Sequence, residues 1–166
     1  MIEAFDCFHT QAYIAGQWVD ALDGSTFEVL NPVDDSVIAE VANCGSKETE
    51  QAITAAHNSL IPWSTKPAKE KARLMRAWFE TIVANAETLA TLLTLEQGKP
   101  LAEARTEINY GASYIEWFSE ETKRIYGDVI PSPGADKRIL TIKQPVGVVA
   151  CITPWNFPTA MLARKI

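Results

Sequence analysis

VGVVACITPWNFP, residues 146–158, is the stretch on which the architecture turns. Its first half, Val146 to Ile152, is an unbroken apolar run, the pattern of a parallel strand buried on both faces. Pro154 ends that run. Pro158 stands where a new helix can start, since the first helical turn has no use for the N–H that proline lacks. Strand, turn and helix start together form the first unit of an open α/β sheet. Ligands of such sheets bind beyond the carboxyl ends of the strands, which is where Thr153 to Phe157 fall. The helix so begun is cut after about two turns, leaving its apolar face and its carbonyls without partners. The expectation is therefore an α/β fold that is incomplete at 166 residues.

Moving upstream, the turn-rich SPGADK leads into Ile139-Leu140-Thr141-Ile142, an alternating strand, with Ile139 to Lys143 a candidate sheet edge. Before it lie three long helices. Ser46 is a plausible cap for the first, which carries Ile53, Ala56 and Leu60 at helical spacing and is ended by Pro62. The second starts at Ser64-Thr65 with Pro67 in its first turn. Its apolar stripe is Leu74, Met75, Trp78, Phe79, Ile82 and Val83, resuming at Leu89, Leu92 and Leu93 after a break at Asn85. Gly98-Lys99-Pro100 closes it. The third runs from Leu101 to about residue 125, with Ile108, Ala112, Ile115 and Trp117-Phe118 facing inward. Gly127 and Pro131 follow. The first 45 residues read as strands and turns. A short hairpin joins Tyr13-Ile14 to Trp18-Val19, Leu22 to Ser25 is a turn, and Phe27 to Leu30 is a strand ended by Asn31-Pro32. Val37 to Val41 is a further strand.

The charge balance narrows the function. A net charge of −6, with Lys and Arg scattered, argues against a surface built for nucleic acid or anionic lipid. The three cysteines, Cys7, Cys44 and Cys151, are far apart and in no zinc or disulfide spacing. That predicts a reducing compartment and no metal site. No apolar stretch approaches the ~20 residues needed to cross a bilayer. The amino terminus, MIEAFDCFHT, lacks the layout of a secretory leader. The expectation is a cytoplasmic, soluble protein with neither membrane nor nucleic-acid partner.

Asn156 is the residue with chemical promise. Flanked by Trp155 and Phe157-Pro158, its amide could be held in one rotamer, and a fixed amide donor is what an oxyanion hole needs. The plainer alternative is a turn asparagine. Neither His9 nor His57 is paired with a nucleophile, and Cys151 reads as an inert small hydrophobe in a strand. Glu120-Glu121 reads as a solvated helix face. Neither of the common glycine-rich nucleotide fingerprints, GxGxxG or GxxxxGK[ST], occurs.

ITPWNFP (152–158) is a signature of the aldehyde dehydrogenase superfamily, and the resemblance extends well beyond it. TLEQGKPLAEA (94–104) is similar to the family's junction between long helices. EINYGASYIEWFSEETKRIYGDVIP (107–131) and ADKRILTIKQPVGV (135–148) resemble the succinate-semialdehyde dehydrogenase branch. AYIAGQWVDA (12–21) and NPVDDSVIAEV (31–41) are similar to the family's amino-terminal strands. The resemblance implies roughly the amino-terminal third of such an enzyme, in four parts. Residues 1–45 form a small β layer, and 46–131 the helical part of the cofactor domain. Residues 132–145 form an oligomerisation-type strand, and 146–166 the first strand, turn and helix of a Rossmann-like sheet.

It also implies the chemistry. Such enzymes oxidise an aldehyde through a thiohemiacetal on a cysteine, pass hydride to NADP or NAD, and release the acid with water. Asn156 would supply the oxyanion amide, and the backbone of Ile152, Thr153, Pro154, Trp155 and Asn156 would line the cofactor. Lys165 matches a lysine suggested to relay protons. Arg164 matches an arginine that binds the distal carboxylate of succinate semialdehyde, a role suited to a planar guanidinium; an exposed helix arginine is the alternative. Glutarate semialdehyde would fit the same arginine. The nucleophilic cysteine and general-base glutamate have no counterpart here, so the isolated chain is expected to be inactive, and the full family member to be a homo-oligomer. A second reading is a non-catalytic fragment that acts as an oligomerising module through the 139–143 edge.

Overall fold

The computed structural model describes residues 7–166; the part of the leader reading that falls on Met1 to Asp6 lies outside them. Two antiparallel hairpins come first. β1 (Ala12–Ile14) pairs with β2 (Gln17–Val19), placing Tyr13 opposite Trp18. Ala15 and Gly16 make the turn at φ 52° and 82°. Two positive φ values are the type I′ pattern, whose twist matches that of the strands it joins. β3 (Thr26–Leu30) pairs with β4 (Val37–Ala42). Their connection is held by short polar side chains, Asn31 accepting from the Val33 N–H and Asp34 from the Ser36 N–H, the usual service of such residues in turns.

α1 (Ser46–Ser64) is tied to the turn after β2 by Glu48. This buried carboxylate accepts the Leu22 N–H at 2.7 Å and the Gly45 N–H at 2.8 Å. The two backbone donors hold its carboxyl below the ordinary glutamate range. α2 (Ala68–Ala84) and α3 (Ala86–Gln97) meet at Asn85, and α4 (Leu101–Glu121) lies across both. The core is Ala90, Leu93, Ala104 and Ile108, with Ile82, Ala86, Leu89 and Leu101 packed around it. Small residues bring the helices close. Gly111 on α4 faces α5 (Pro158–Ala163), where an added Cβ would stand 3.4 Å from the Ala160 Cα. A 3₁₀ turn, Thr122–Arg124, follows α4. β5 (Val129–Ile130) and β6 (Ile139–Leu140) then form a third small antiparallel pair.

Several sequence expectations are corrected. α1 runs through Pro62 to Ser64, because a proline in the last turn forfeits a single backbone bond. Its spaced residues Ile53 and Ala56 are exposed, and Leu60 is half-buried. Gly45, rather than Ser46, caps it. α2 begins after Pro67, later than Ser64. In its stripe Met75, Phe79 and Ile82 are half-buried, while Leu74, Trp78 and Val83 are exposed. Trp117 and Phe118 point outward, 65% and 46% exposed, since α4 buries the face marked by Ile108, Ala112 and Ile115. The strand at 139–142 is only Ile139–Leu140 long. Most important, Val146 to Ile152 forms no ladder. Val146 is 91% and Ile152 is 86% exposed, and Cys151 is half-buried. A strand needs a neighbour for its N–H and C=O groups, and no described strand lies alongside this run.

Candidate active site

The ITPWNFP turn is held by three side chains from one upstream segment. Gly98 makes this possible. At φ 75° it ends α3 in the left-handed conformation, its N–H bonding back to the Thr94 carbonyl at 2.8 Å. Only glycine takes that geometry freely, and the tight reversal leads directly into α4. Gln97, Lys99 and Glu107 therefore face residues 155–160 from the end of α3, the short link after it and the second turn of α4.

Each grips a different point. The Gln97 side-chain amide donates to the Trp155 carbonyl at 2.7 Å. The Lys99 ammonium lies 4.0 Å from the Phe157 ring centroid, within cation–π range. The same ammonium is paired with Glu107. Glu107 is 1% exposed. Its other oxygen accepts the N–H of Thr159 at 3.0 Å and of Ala160 at 3.4 Å. Those amides open α5. Phe157, at its N-cap, has φ 53° and ψ 48° and offers no side-chain acceptor. The carboxylate thus caps the helix from 52 residues upstream of Thr159, meeting orphan amides with negative charge at the positive end of the helix.

Between these tethers sits Asn156, exposed. Trp155 is 82% exposed and Phe157 45%. The expected ring-to-ring clamp is weak on the Trp155 side, where the side chain is largely in solvent. The backbone is held instead, on one side at the Trp155 carbonyl and on the other at Phe157 and the α5 amides. Pro154 is exposed and Thr153 half-buried. Arg164, one residue past α5, is exposed, its guanidinium carbon 5.7 Å from the Tyr114 ring centroid. Tyr114 is hydrogen-bonded to Tyr110 through their hydroxyls. That bond, with some burial, raises the Tyr114 phenol above its ordinary value. Lys165 is exposed and donates to the Met161 carbonyl at 3.0 Å. Asn156, Arg164 and Lys165 therefore share one short turn-and-helix, beside the exposed residues Ile152 and Trp155. No cluster of three or more His, Cys, Asp or Glu side chains suited to a metal occurs among the described residues.

Sequence reading missed Gln97, Lys99 and Glu107 as site residues. Their signal was present only as the quoted TLEQGKPLAEA and the start of EINYGASY, since nothing in the spacing of a Lys and a Glu eight residues apart points to a distant turn.

Residues 18–166 match the aldehyde dehydrogenase family. The chain belongs to that family. It is 52% identical over 165 residues to the mitochondrial succinate-semialdehyde dehydrogenase of Oryza sativa subsp. japonica, covering 99% of this chain and 31% of that protein. It is 55% identical to the glutarate-semialdehyde dehydrogenase of Pseudomonas putida, over 95% of this chain and 33% of that protein. The crystal structure of an Escherichia coli NADP-dependent enzyme superposes with a TM-score of 0.92 at 53% identity, over 95% of this chain and 33% of that one. Betaine aldehyde dehydrogenase from Staphylococcus aureus, solved with NAD+, gives 0.92 at 32% identity, over 99% and 33%. This aldehyde dehydrogenase chain has the α/β fold of the amino-terminal part of those structures. It spans about a third of the length of the curated relatives it matches. No described helix is long and apolar enough to cross a membrane. The cytoplasmic expectation gains no support, because the rice relative is a mitochondrial protein.

Proposed function

We propose that this chain supplies the oxyanion and carboxylate-recognition part of an enzyme that oxidises succinate semialdehyde, or the closely similar glutarate semialdehyde, to the acid with NADP or NAD. The observation that carries the reading is the placement of an exposed amide, Asn156, and an exposed guanidinium, Arg164, on one turn-and-helix of an aldehyde dehydrogenase chain. The rice and Pseudomonas putida relatives, at 52% and 55% identity, are named for dicarboxylate semialdehydes, which supports the substrate class.

In this reading Asn156 donates to the oxygen of the aldehyde carbon as negative charge grows there. Loss of one such donor costs about 10²–10³ in kcat. Arg164 binds the carboxylate at the other end of the substrate in a bidentate pair. Lys165 passes a proton near the reacting carbon. The stretch from Ile152 to Trp155, exposed except at half-buried Thr153 and outside any described ladder, fits a lining for the dinucleotide. When bound, that cofactor accepts the hydride. None of Cys7, Cys44 and Cys151 is assigned as the nucleophile, and a homo-oligomer is assigned only to a full-length family member. The 139–143 edge as a self-sufficient oligomerising module is the weaker reading, since β6 spans only two residues.

Two measurements test this. The 166-residue chain, given succinate semialdehyde and NADP, is expected to show no turnover. In the full-length enzyme, Arg164→Ala is expected to raise KM for succinate semialdehyde about tenfold or more, as loss of a charge-assisted pair does, and to leave an uncharged aldehyde little changed. Equal losses on both substrates remove the carboxylate role.

A further inference from the structure

We propose that Lys99 and Glu107 are positioning residues that set the location of the Asn156 amide. The proposal rests on the oxyanion reading of Asn156 and adds what holds that group in place. The side chain that would do the chemistry is exposed, and so are Trp155 and Phe157 on either side of it. What is confined is the backbone on either side. Glu107 is buried within α4, which is anchored in the core by Ile108 and Ile115, each 1% exposed. Its carboxylate holds the first amides of α5, three and four residues beyond Asn156. Lys99 joins that carboxylate to the Phe157 ring, one residue beyond Asn156. Gln97 secures the Trp155 carbonyl, one residue before it. The three contacts transmit the position of the rigid helix pair to a single exposed residue.

A buried ion pair is a poor source of stability, because desolvation offsets most of its attraction. It is an effective source of geometry, since both partners must stay in register for either charge to be tolerated. The Lys99 side chain is 11% exposed and that of Glu107 is fully buried. Phe157 is held at a positive φ that an L-residue rarely adopts, so the turn needs an external hold to keep that conformation.

The test uses the apolar pair Lys99→Met with Glu107→Leu, which fills similar volume without leaving one charge buried alone. In the 166-residue chain, hydrogen exchange at the Thr159 and Ala160 amides is expected to accelerate at least tenfold, with Ile108 and Ile115 still protected. Exchange at 159 and 160 that stays unchanged overturns the proposal. In the full-length enzyme the pair is expected to lower kcat about 10- to 100-fold, the scale of a misplaced group, with KM within about threefold. Glu107→Gln combined with Lys99→Met, which keeps an acceptor for the two amides and leaves no lone charge, restores part of that loss. Combined with Asn156→Ala, the apolar pair is expected to add less than about twofold, because groups acting as one unit are not additive. A damaging Asn156→Ala with a silent apolar pair overturns the positioning role alone, as do additive losses. A neutral Asn156→Ala overturns the oxyanion reading itself.

Discussion

Glu48 shows how much one carboxylate can be asked to do when its partners are backbone amides. Its folded pKa is depressed, so the unfolded chain binds the extra proton first as pH falls. The stability it contributes is present above the unfolded value, about 4.3 for a free glutamate, and is lost as pH drops through the folded one. Urea midpoints followed from pH 6 to pH 3 should fall less steeply for Glu48→Gln than for the parent chain. Gly127 is a second exacting position. A Cβ there would lie 1.8 Å from the Thr141 carbonyl oxygen, a backbone atom that cannot swing aside. Gly127→Ala is expected to separate β5 from β6 and cost about 1–3 kcal/mol, seen as lost exchange protection at Asp128 and Thr141, whose amide bonds span that pair. The roles proposed for Asn156 and Arg164 start from the sequence, the first from the 152–158 motif and the second from the resemblance alone. Those of Lys99 and Glu107 were not legible there, because their task is defined by residues 50 or more positions away, and a charged pair in a helical segment looks like any solvated face.

Elements were legible where a residue acts on its own neighbours. The Asn85 break, the Gly98 stop and the Pro158 start all rest on local backbone chemistry, and all appear. Where packing decides, the reading failed. Trp117 and Phe118 share a helix with Ile108 and Ile115, yet only the latter pair is buried. Ile115→Ala, which empties a fully buried site, is expected to destabilise by about 2–5 kcal/mol, and Trp117→Ala by much less, in paired denaturant titrations. The β1–β2 turn offers a change in the other direction. Ala15 bears a positive φ that an L-alanine adopts at a cost. Ala15→Asn creates the Asn-Gly preferred in such turns and should raise the thermal midpoint by a few degrees, about what 1 kcal/mol gives in a chain of this size.

At the scale of the molecule, the helices share a core while the sheets stay small. The α/β class was legible because the apolar run at 146–152 has the composition of a buried strand. Its ladder was not, since pairing belongs to a neighbour and no described strand provides one. Val146, Val149 and Ile152 instead lie open, with Trp155 beside them. Contiguous apolar exposure of this kind draws other apolar groups to it. The chain is expected to bind a hydrophobic dye, and Val149→Lys with Ile152→Lys should weaken that binding while leaving helical circular dichroism unchanged. Unaltered dye binding would place the sticky surface elsewhere, for instance at Trp117 and Phe118.

Glu107 recognises peptide N–H groups rather than side chains, and every amino acid but one brings the same N–H. A change of side chain at 159 or 160 therefore leaves Glu107 its partners as long as the close packing of α5 on Gly111 is kept. Proline is the exception: at 159 it would remove the nearer of the two amides while still suiting the start of a helix. A single such change would disconnect the turn without touching any charged group, and so ask whether the chain depends on what its side chains are or on where its backbone is held.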